Sequence, residues 1–214
     1  MATDTAGRRS LRAAYTLLAM AVVAFGVVAL VHERTREDIA AAARTRQQQQ
    51  FAAVLGGTPF DNDPLLDVVE LRDLELLGTA APVPVHRARL QGRPVAVIMA
   101  AVAPDGYSGH IELLVGVAPD GTLLGVRVTR HTETPGLGDF IELRKSGWIE
   151  RFAGRSLQSP PVERWQVRRD GGDFDQFTGA TVTSRAVVTA VARTLAAFAR
   201  HREALLAPAG TIPP

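Results

Sequence analysis

The segment that decides the fold is residues 94–129, which read PVAVIMAAVAPDGYSGHIELLVGVAPDGTLLGVRVT. It contains three runs rich in β-branched and other apolar residues, 94–102, 111–117 and 123–129, and such runs are typical of strands. The sequence Ala-Pro-Asp-Gly directly follows each of the first two runs, at 103–106 and 118–121. Proline presets φ and glycine accepts a positive φ, so both connections favour turns. The segment therefore predicts a twisted antiparallel meander.

A glycine-rich loop and two helices are predicted after the meander. Residues 132–139, TETPGLGD, form the loop, and residues 140–152 have the apolar spacing of a helix. A long helix at 184–206 takes Thr183 or Ser184 as its N-cap, because a hydroxyl at that position accepts a backbone N–H. Its apolar positions follow the helical repeat at Val187, Val191, Leu195 and Phe198. The predicted class is α+β.

An apolar segment at residues 11–31, LRAAYTLLAMAVVAFGVVALV, has no charge between Arg12 and His32. At about 1.5 Å per residue, its uncharged part is long enough to span a hydrocarbon core of about 30 Å. A cleaved signal peptide is the alternative, but it has a shorter apolar stretch and a small-x-small cleavage site. Arg8, Arg9 and Arg12 precede the uncharged part of this segment, so the positive-inside rule places residues 1–10 in the cytoplasm and the following domain outside.

The rest of the chain divides at glycines and prolines. Residues 32–57 are good helix formers that end at a pair of glycines, which predicts a juxtamembrane helix. Residues 58–206 form the exported domain, and residues 207–214 form a flexible tail.

Several kinds of site are excluded by what the sequence lacks. There is no cysteine, which excludes disulfides, thiolate metal sites, iron–sulfur clusters and thiol catalysis. The five histidines show no metal-binding spacing, and no nucleophile elbow, Walker loop or dinucleotide fingerprint is present. The net charge is +2 with scattered basic residues, so there is no footprint for nucleic acid. These exclusions favour a binding or relay role over a complete enzyme.

Residues 175–181, DQFTGAT, have two interpretations from chemistry alone. One is a tight turn that leads into a capped helix. The other is a phosphate site, because a glycine lets the backbone come close and the helix start supplies unpaired N–H groups. The hydroxyls of Thr178, Thr181 and Thr183 lie close together in sequence, and Arg185 adds a cation nearby.

Four further stretches occur in one order along the chain and together resemble the G subunit of the Rnf/Rsx electron-transport complex. They are APDGYSG (103–109), HTETPGLGDFIELR (131–144), SGWIERFAG (146–154) and DGGDFDQFTGAT (170–181). The last contains Asp-x-x-Thr-Gly-Ala-Thr, which resembles the motif for covalent flavinylation by a bacterial flavin transferase. The related C subunit of the sodium-pumping quinone reductase shares this motif and the glycine-rich loop.

The resemblance implies an FMN-binding domain whose FMN is joined through its phosphate to the hydroxyl of Thr181. It also implies a loop near the flavin and a frame for its phosphate. The residues so implied are Thr134, Leu137 and Gly138 for the loop, and Thr178, Gly179, Ala180 and Thr183 for the frame.

The function implied is that of an electron-relay subunit, not catalytic alone, in a complex of the bacterial inner membrane. Such a complex passes electrons between ferredoxin-type and nicotinamide carriers and couples this flow to ion translocation. The implied partners are the other subunits, the flavin transferase and the lipid bilayer. The alternatives are a C-type subunit, a stand-alone periplasmic flavin carrier and a membrane-anchored periplasmic binding module.

Overall fold

The computed structural model describes residues 3–79 and 81–208, and the chain divides into two compact units between Gln47 and Gln48. Its first helix, α1 (Thr3–Val54), contains the predicted membrane segment. Large apolar side chains such as Leu17, Phe25 and Val31 are exposed along this part of α1. A helix that is apolar all round and exposed is typical of a membrane span. By length and composition, the helix from Leu17 onward could cross a membrane.

The domain is built on a five-stranded antiparallel sheet with neighbours in chain order, β1-β2-β3-β4-β5. The predicted meander forms its last three strands and is confirmed. The strands are β1 (Val68–Leu71), β2 (Val83–Leu90), β3 (Arg93–Ala103), β4 (Ile111–Val117) and β5 (Leu123–Arg130). A short helix, α2 (Leu74–Leu77), connects β1 to β2. The α+β class is therefore confirmed.

One face of the sheet packs against the last helix, α3 (Thr181–Leu205). The predicted stripe of α3 is buried in this core, where it meets sheet residues that include Val97, Met99, Val115 and Val126. Helix α3 also has the length and composition of a membrane span, but most of it is buried inside the domain. It is therefore the core helix of this domain.

The opposite face of the sheet is covered by the end of α1. Phe51, Val54 and Leu55 form a second apolar cluster there with residues of β2, β3 and β4. Gly116 and Gly125 make this approach possible, since a Cβ at either position would press against the backbone of Val54. At Gly125 that Cβ would lie 3.1 Å from the Val54 carbonyl oxygen, and at Gly116 it would lie closer still.

The single helix predicted at residues 140–152 is wrong. The structure has two 3₁₀ turns instead, Gly138–Ile141 and Gly147–Phe152. They are separated because Ser146 is extended, with φ −156°. Its hydroxyl donates to the Phe140 carbonyl at 2.7 Å and accepts the Trp148 N–H at 3.2 Å, so it ends one turn and caps the next.

An aromatic cluster beneath these turns positions the segment that leads to α3. Its rings lie 4.7–6.3 Å apart between centroids, a spacing typical of packed aromatic pairs. The Trp148 indole also donates to the Asp175 carbonyl oxygen at 2.8 Å. The members are Phe140, Trp148, Phe152, Trp165, Phe174 and Phe177.

Candidate flavin site

A cavity of about 480 Å³ lies where four segments of the domain meet. These are the β3–β4 connection, the glycine-rich loop, the turn that contains Arg169 and the start of α3. Of the residues that the resemblance implies for the site, all except Thr178, which is exposed, line this cavity. The lining residues are Tyr107, Glu133, Thr134, Leu137, Gly138, Arg169, Gly179, Ala180, Thr181, Val182 and Thr183. A volume of this size is ordinary for a cofactor pocket.

Helix α3 begins at Thr181, with Ala180 at the N-cap, so the prediction of Thr183 or Ser184 as the cap is wrong. The turn before the helix is closed by the Ala180 N–H, which donates to the Phe177 carbonyl at 3.0 Å. Gly179 adopts the left-handed φ of +84° that this turn requires. The first helical hydrogen bond is already made by the Ser184 N–H to Ala180 at 3.1 Å, which places both hydroxyl residues inside the first turn.

The start of α3 therefore has no side-chain cap. Among the described residues, the backbone N–H groups of Thr181, Val182 and Thr183 have no hydrogen-bond partner. All three residues line the cavity. Unpaired N–H groups at the positive end of a helix dipole favour an anion such as a phosphate. The cavity thus fits the phosphate end of FMN.

The hydroxyls near the helix start differ in what they contact. The Thr183 hydroxyl is buried and donates to the Glu133 carboxylate. The buried Ser184 hydroxyl donates to the Ala180 carbonyl at 3.1 Å and accepts the Phe177 N–H at 3.3 Å. Thr181 is half-buried, and its hydroxyl makes no hydrogen bond to any residue that the structure describes. Of these hydroxyls, that of Thr181 is the one left available at the cavity.

Glu133 is a central residue of the site that the sequence analysis missed. It is only 4% exposed, and its two oxygens bind two different segments. One oxygen accepts the Ser108 N–H at 3.0 Å, and the other accepts the Thr183 hydroxyl. Gly138 lies against it, since a Cβ there would come within 2.8 Å of the Glu133 Cβ. A single acidic residue in an otherwise uncharged stretch, TETPGL, was the available signal.

Internal hydrogen bonds fix the shape of the glycine-rich loop. The N–H groups of Leu137 and Gly138 donate to the Thr134 carbonyl at 3.2 and 2.9 Å. The Gly136 N–H donates to Asp139, whose other oxygen lies 3.1 Å from the ammonium of Lys145. These contacts fix the backbone of Leu137 and Gly138 at the cavity wall.

A second anchor of the loop is the carboxylate of Glu142. It binds the Arg144 guanidinium and lies 2.8 Å from Nε2 of His131. The Arg144 hydrogen bond, followed by that of His131, lowers the pKa of Glu142 from 4.5 to about 2. The carboxylate is therefore charged throughout the ordinary pH range.

The cation at the cavity is Arg169, which the sequence analysis did not identify. Arg185 was expected to serve this role, but it does not line the cavity. Its guanidinium binds both oxygens of Asp170, at 2.6 and 3.0 Å, and lowers the pKa of that carboxyl. The two arginines could not be distinguished by sequence distance because their roles depend on the pairing with Asp170.

Three exposed apolar side chains surround the cavity, two of which the sequence analysis missed. Tyr107 is 72% exposed although its backbone is fixed by the bonds of neighbouring Ser108. Leu137 and Val182 are also exposed at the same cavity. An apolar rim above a polar floor suits a flat ring system attached to a phosphate.

Two known families match the chain. Residues 106–196 match the family described as FMN-binding domain, and residues 1–54 match the RnfG N-terminal region. Similar curated proteins are named as the G subunit of the ion-translocating oxidoreductase complex. The chain is 52% identical to that of Pseudomonas aeruginosa over 206 residues, covering 96% of each chain. It is 45% identical to that of Shewanella oneidensis, covering 87% of this chain and 88% of the other.

A further relative with the same name, from Vibrio cholerae, is 43% identical to this chain. The match covers 88% of this chain and 90% of the relative. Among solved structures, the C subunit of the Na(+)-translocating NADH-quinone reductase from Parabacteroides distasonis is similar. It has a TM-score of 0.45 and 24% sequence identity, covering 70% of this chain and 74% of that one.

Proposed function

The chain belongs to the G-subunit family of ion-translocating oxidoreductase complexes, and on this premise we propose that it is an electron-relay subunit holding FMN as a phosphodiester on Thr181. Membership makes it one subunit of a membrane complex in electron transport, with a domain that binds FMN. The attachment point, the electron carriers, the ion coupling and the orientation are the parts that we propose.

The observation that carries the proposal is the position of Thr181. It is the first residue of α3, it lines the cavity, and its hydroxyl makes no hydrogen bond within the described chain. A phosphodiester on this oxygen lies next to the N–H groups of the uncapped helix start. An anion there gains about 0.3–1 kcal/mol from the helix dipole. The rest of the frame around the flavin comes from the other lining residues: Thr134, Leu137, Gly138 and the backbone of Gly179 and Ala180.

Attachment requires FAD and a flavin transferase as partner. The Thr181 oxygen attacks the flavin-side phosphorus of FAD and forms a new P–O bond, while the bond to the bridging oxygen breaks. AMP leaves with the bridging oxygen, and the hydroxyl proton passes to a base of the transferase. The product keeps one negative charge. Thr178, which was expected in the frame, is exposed and lies outside the cavity.

Bound FMN supplies the redox chemistry, accepting electrons from one carrier and passing them to the next. The chain itself binds and orients the flavin, and its charges set the local potential. We propose that the complex connects ferredoxin-type and nicotinamide carriers and couples the flow to ion translocation. Covalent attachment suits a carrier in an open compartment, because it removes dissociation.

The proposed location is the bacterial inner membrane, with one span at residues 11–31 and the domain of residues 58–206 in the periplasm. The exposed apolar surface of α1 supports the span. The arginines before the uncharged part of the span support the orientation. Residues 32–57 are proposed as the juxtamembrane segment, of which the helix covers 32–54. The predicted tail at 207–214 lies mostly outside the described residues.

The experiment that tests the proposal is peptide mass spectrometry of the full chain purified from membranes of cells that contain the transferase. We expect one FMN, less one water, on the peptide that includes residues 170–185, with fragment ions placing it on Thr181. Flavin on another residue would contradict the assignment. A reporter fused after Pro214 that is active only in the cytoplasm would contradict the orientation.

A further inference from the structure

Three arginines in the segments that lead to α3 are paired with carboxylates. Arg151 and Arg168 both bind Asp175, and Arg164 binds Asp173. Arg169 forms no ion pair with any residue in the described parts of the chain, 3–79 and 81–208. It is also the arginine that lines the flavin cavity.

The neighbouring carboxylate is prevented from neutralising Arg169. Asp170 is next in sequence, but both of its oxygens are occupied by the Arg185 guanidinium, at 2.6 and 3.0 Å. The backbone on either side is fixed, since Arg168 donates to the Phe174 carbonyl at 2.7 Å and Asp170 donates to Val167 at 2.9 Å. The cation is therefore attached to a defined backbone and forms no ion pair with Asp170, although its charge helps Arg185 to lower the pKa of that carboxyl.

The lining of the cavity offers Arg169 no ion-pair partner either. Glu133 is the carboxylate that lines it, and each of its oxygens already accepts a hydrogen bond, from Ser108 or from Thr183. The polar groups that line the cavity also include the unpaired N–H groups at the start of α3 and the hydroxyl of Thr181. The groups left available at the cavity therefore attract an anion.

We propose that Arg169 is the cation that binds the flavin phosphodiester on Thr181 and, by its positive charge, favours the reduced form of the flavin. This inference rests on the proposed function. The fork of N–H donors in a guanidinium matches the two unbridged oxygens of a diester. The reduced flavin carries more negative charge than the oxidised flavin, so a fixed cation nearby raises the midpoint potential. Arg185 acts indirectly, as a positioning residue that occupies Asp170.

The test uses the full chain, flavinylated in cells and purified in detergent. The proteins compared are wild type, Arg169→Gln, Arg169→Lys and Arg168→Gln. Arg168 is the matched control, because it is adjacent and has the same charge but binds Asp175 at 3.0 Å and lies outside the flavin cavity. The readouts are covalent flavin content, the phosphorus NMR resonance of the diester and the midpoint potential at low and high salt.

For Arg169→Gln we expect a displaced phosphorus resonance and a more negative midpoint potential, with a smaller difference at high salt because Arg169 is exposed. Arg168→Gln should match wild type in both. Arg169→Lys should have a midpoint potential close to that of wild type, because it keeps the positive charge. It should still displace the phosphorus resonance, because it loses the fork of guanidinium donors. A folded Arg169→Gln protein that takes up less flavin than Arg168→Gln also supports an anion contact.

The inference is overturned if Arg169→Gln matches wild type in flavin content, resonance and potential, or if Arg168→Gln shifts them equally. A wild-type protein without covalent FMN would instead refute the proposed function, and this inference with it. The two failures are therefore distinguishable in one set of samples.

Discussion

Glu133 and Thr183 lie fifty residues apart in the chain and are joined by a hydrogen bond from the Thr183 hydroxyl to the Glu133 carboxylate. Both side chains are buried, with 4% and 1% exposure. Because Glu133 also binds the Ser108 N–H, one carboxylate connects three of the four segments that surround the cavity. The relative position of the loop and the helix start therefore depends on this pair.

The pair predicts a measurable coupling. Thr183→Ala leaves a buried carboxylate oxygen without its donor, which costs about 1–3 kcal/mol of the free energy of unfolding. Glu133→Gln should cost a similar amount, and the double variant should cost less than the sum of the two. Denaturant unfolding of the full chain in detergent measures all three. If the losses of the two single variants simply add in the double variant, the hydrogen bond contributes nothing to stability. Thr183→Ala should still carry covalent flavin, because its hydroxyl is not the attachment point.

Thr181→Ala should fold normally and carry no covalent flavin. Its hydroxyl makes no hydrogen bond within the described residues, so its removal leaves no buried group unpaired. Ultraviolet illumination of a denaturing gel detects attached flavin directly. Thr189→Ala is the matched control, since this threonine lies on α3 outside both the motif of residues 175–181 and the cavity, and it should stay fluorescent. A fluorescent Thr181→Ala band would refute the assignment.

Glu142 predicts a pH-dependent contribution to stability. Its pKa falls from 4.5 to about 2 in the folded chain, through the bond to Arg144 and then that to His131. The stabilisation is complete above about pH 4.5 and is lost as the pH falls through about 2. Wild type should be more stable than Glu142→Gln at pH 7, with a difference that narrows below pH 4.5. Glu150→Gln, which changes an exposed carboxylate, is the control and should keep the wild-type dependence of stability on pH. The prediction for Glu142 is contradicted if the difference in stability between wild type and Glu142→Gln is constant from pH 7 to pH 3.

Gly116→Ala should destabilise the domain because the new methyl group would collide with the Val54 carbonyl oxygen. Overpacking of this kind costs about 1–3 kcal/mol. Gly147→Ala is the control, since its Cβ would meet only a Glu150 side-chain oxygen at 3.5 Å, an ordinary contact. Thermal unfolding of both variants gives the comparison, and equal melting temperatures would show that the end of α1 shifts to accept the methyl group.

The sequence predicted the parts of the fold that depend on local pattern. The meander followed from apolar runs and Pro-Asp-Gly turns, and the buried stripe of α3 followed from helical spacing. Strand β1 was not predicted, because four residues at a sheet edge carry too little pattern. The helix at 140–152 was wrong because Ser146 binds two backbone groups, which spacing does not show.

The site was predicted unevenly for the same reason. A hydroxyl was expected at the N-cap, but the Thr183 hydroxyl binds Glu133, fifty residues earlier in the chain. The choice between Arg185 and Arg169 depended on which of them Asp170 binds. These are tertiary contacts between residues distant in sequence or between equally charged neighbours, and no local rule distinguishes them.

Alanine at the N-cap of α3 also bears on how a cell can recognise the finished protein. Ser, Asp or Asn at Ala180 would satisfy a donor of the first turn and add about 1 kcal/mol to the helix. Alanine leaves this stabilisation to an anion, which under the proposed function arrives only with the flavin. Since α3 covers one face of the sheet, a folded chain without flavin would have a slightly less stable helix start above its core. Under the proposed function the flavinylated subunit would therefore resist unfolding and proteolysis slightly better than the immature one, so that maturation also protects the chain.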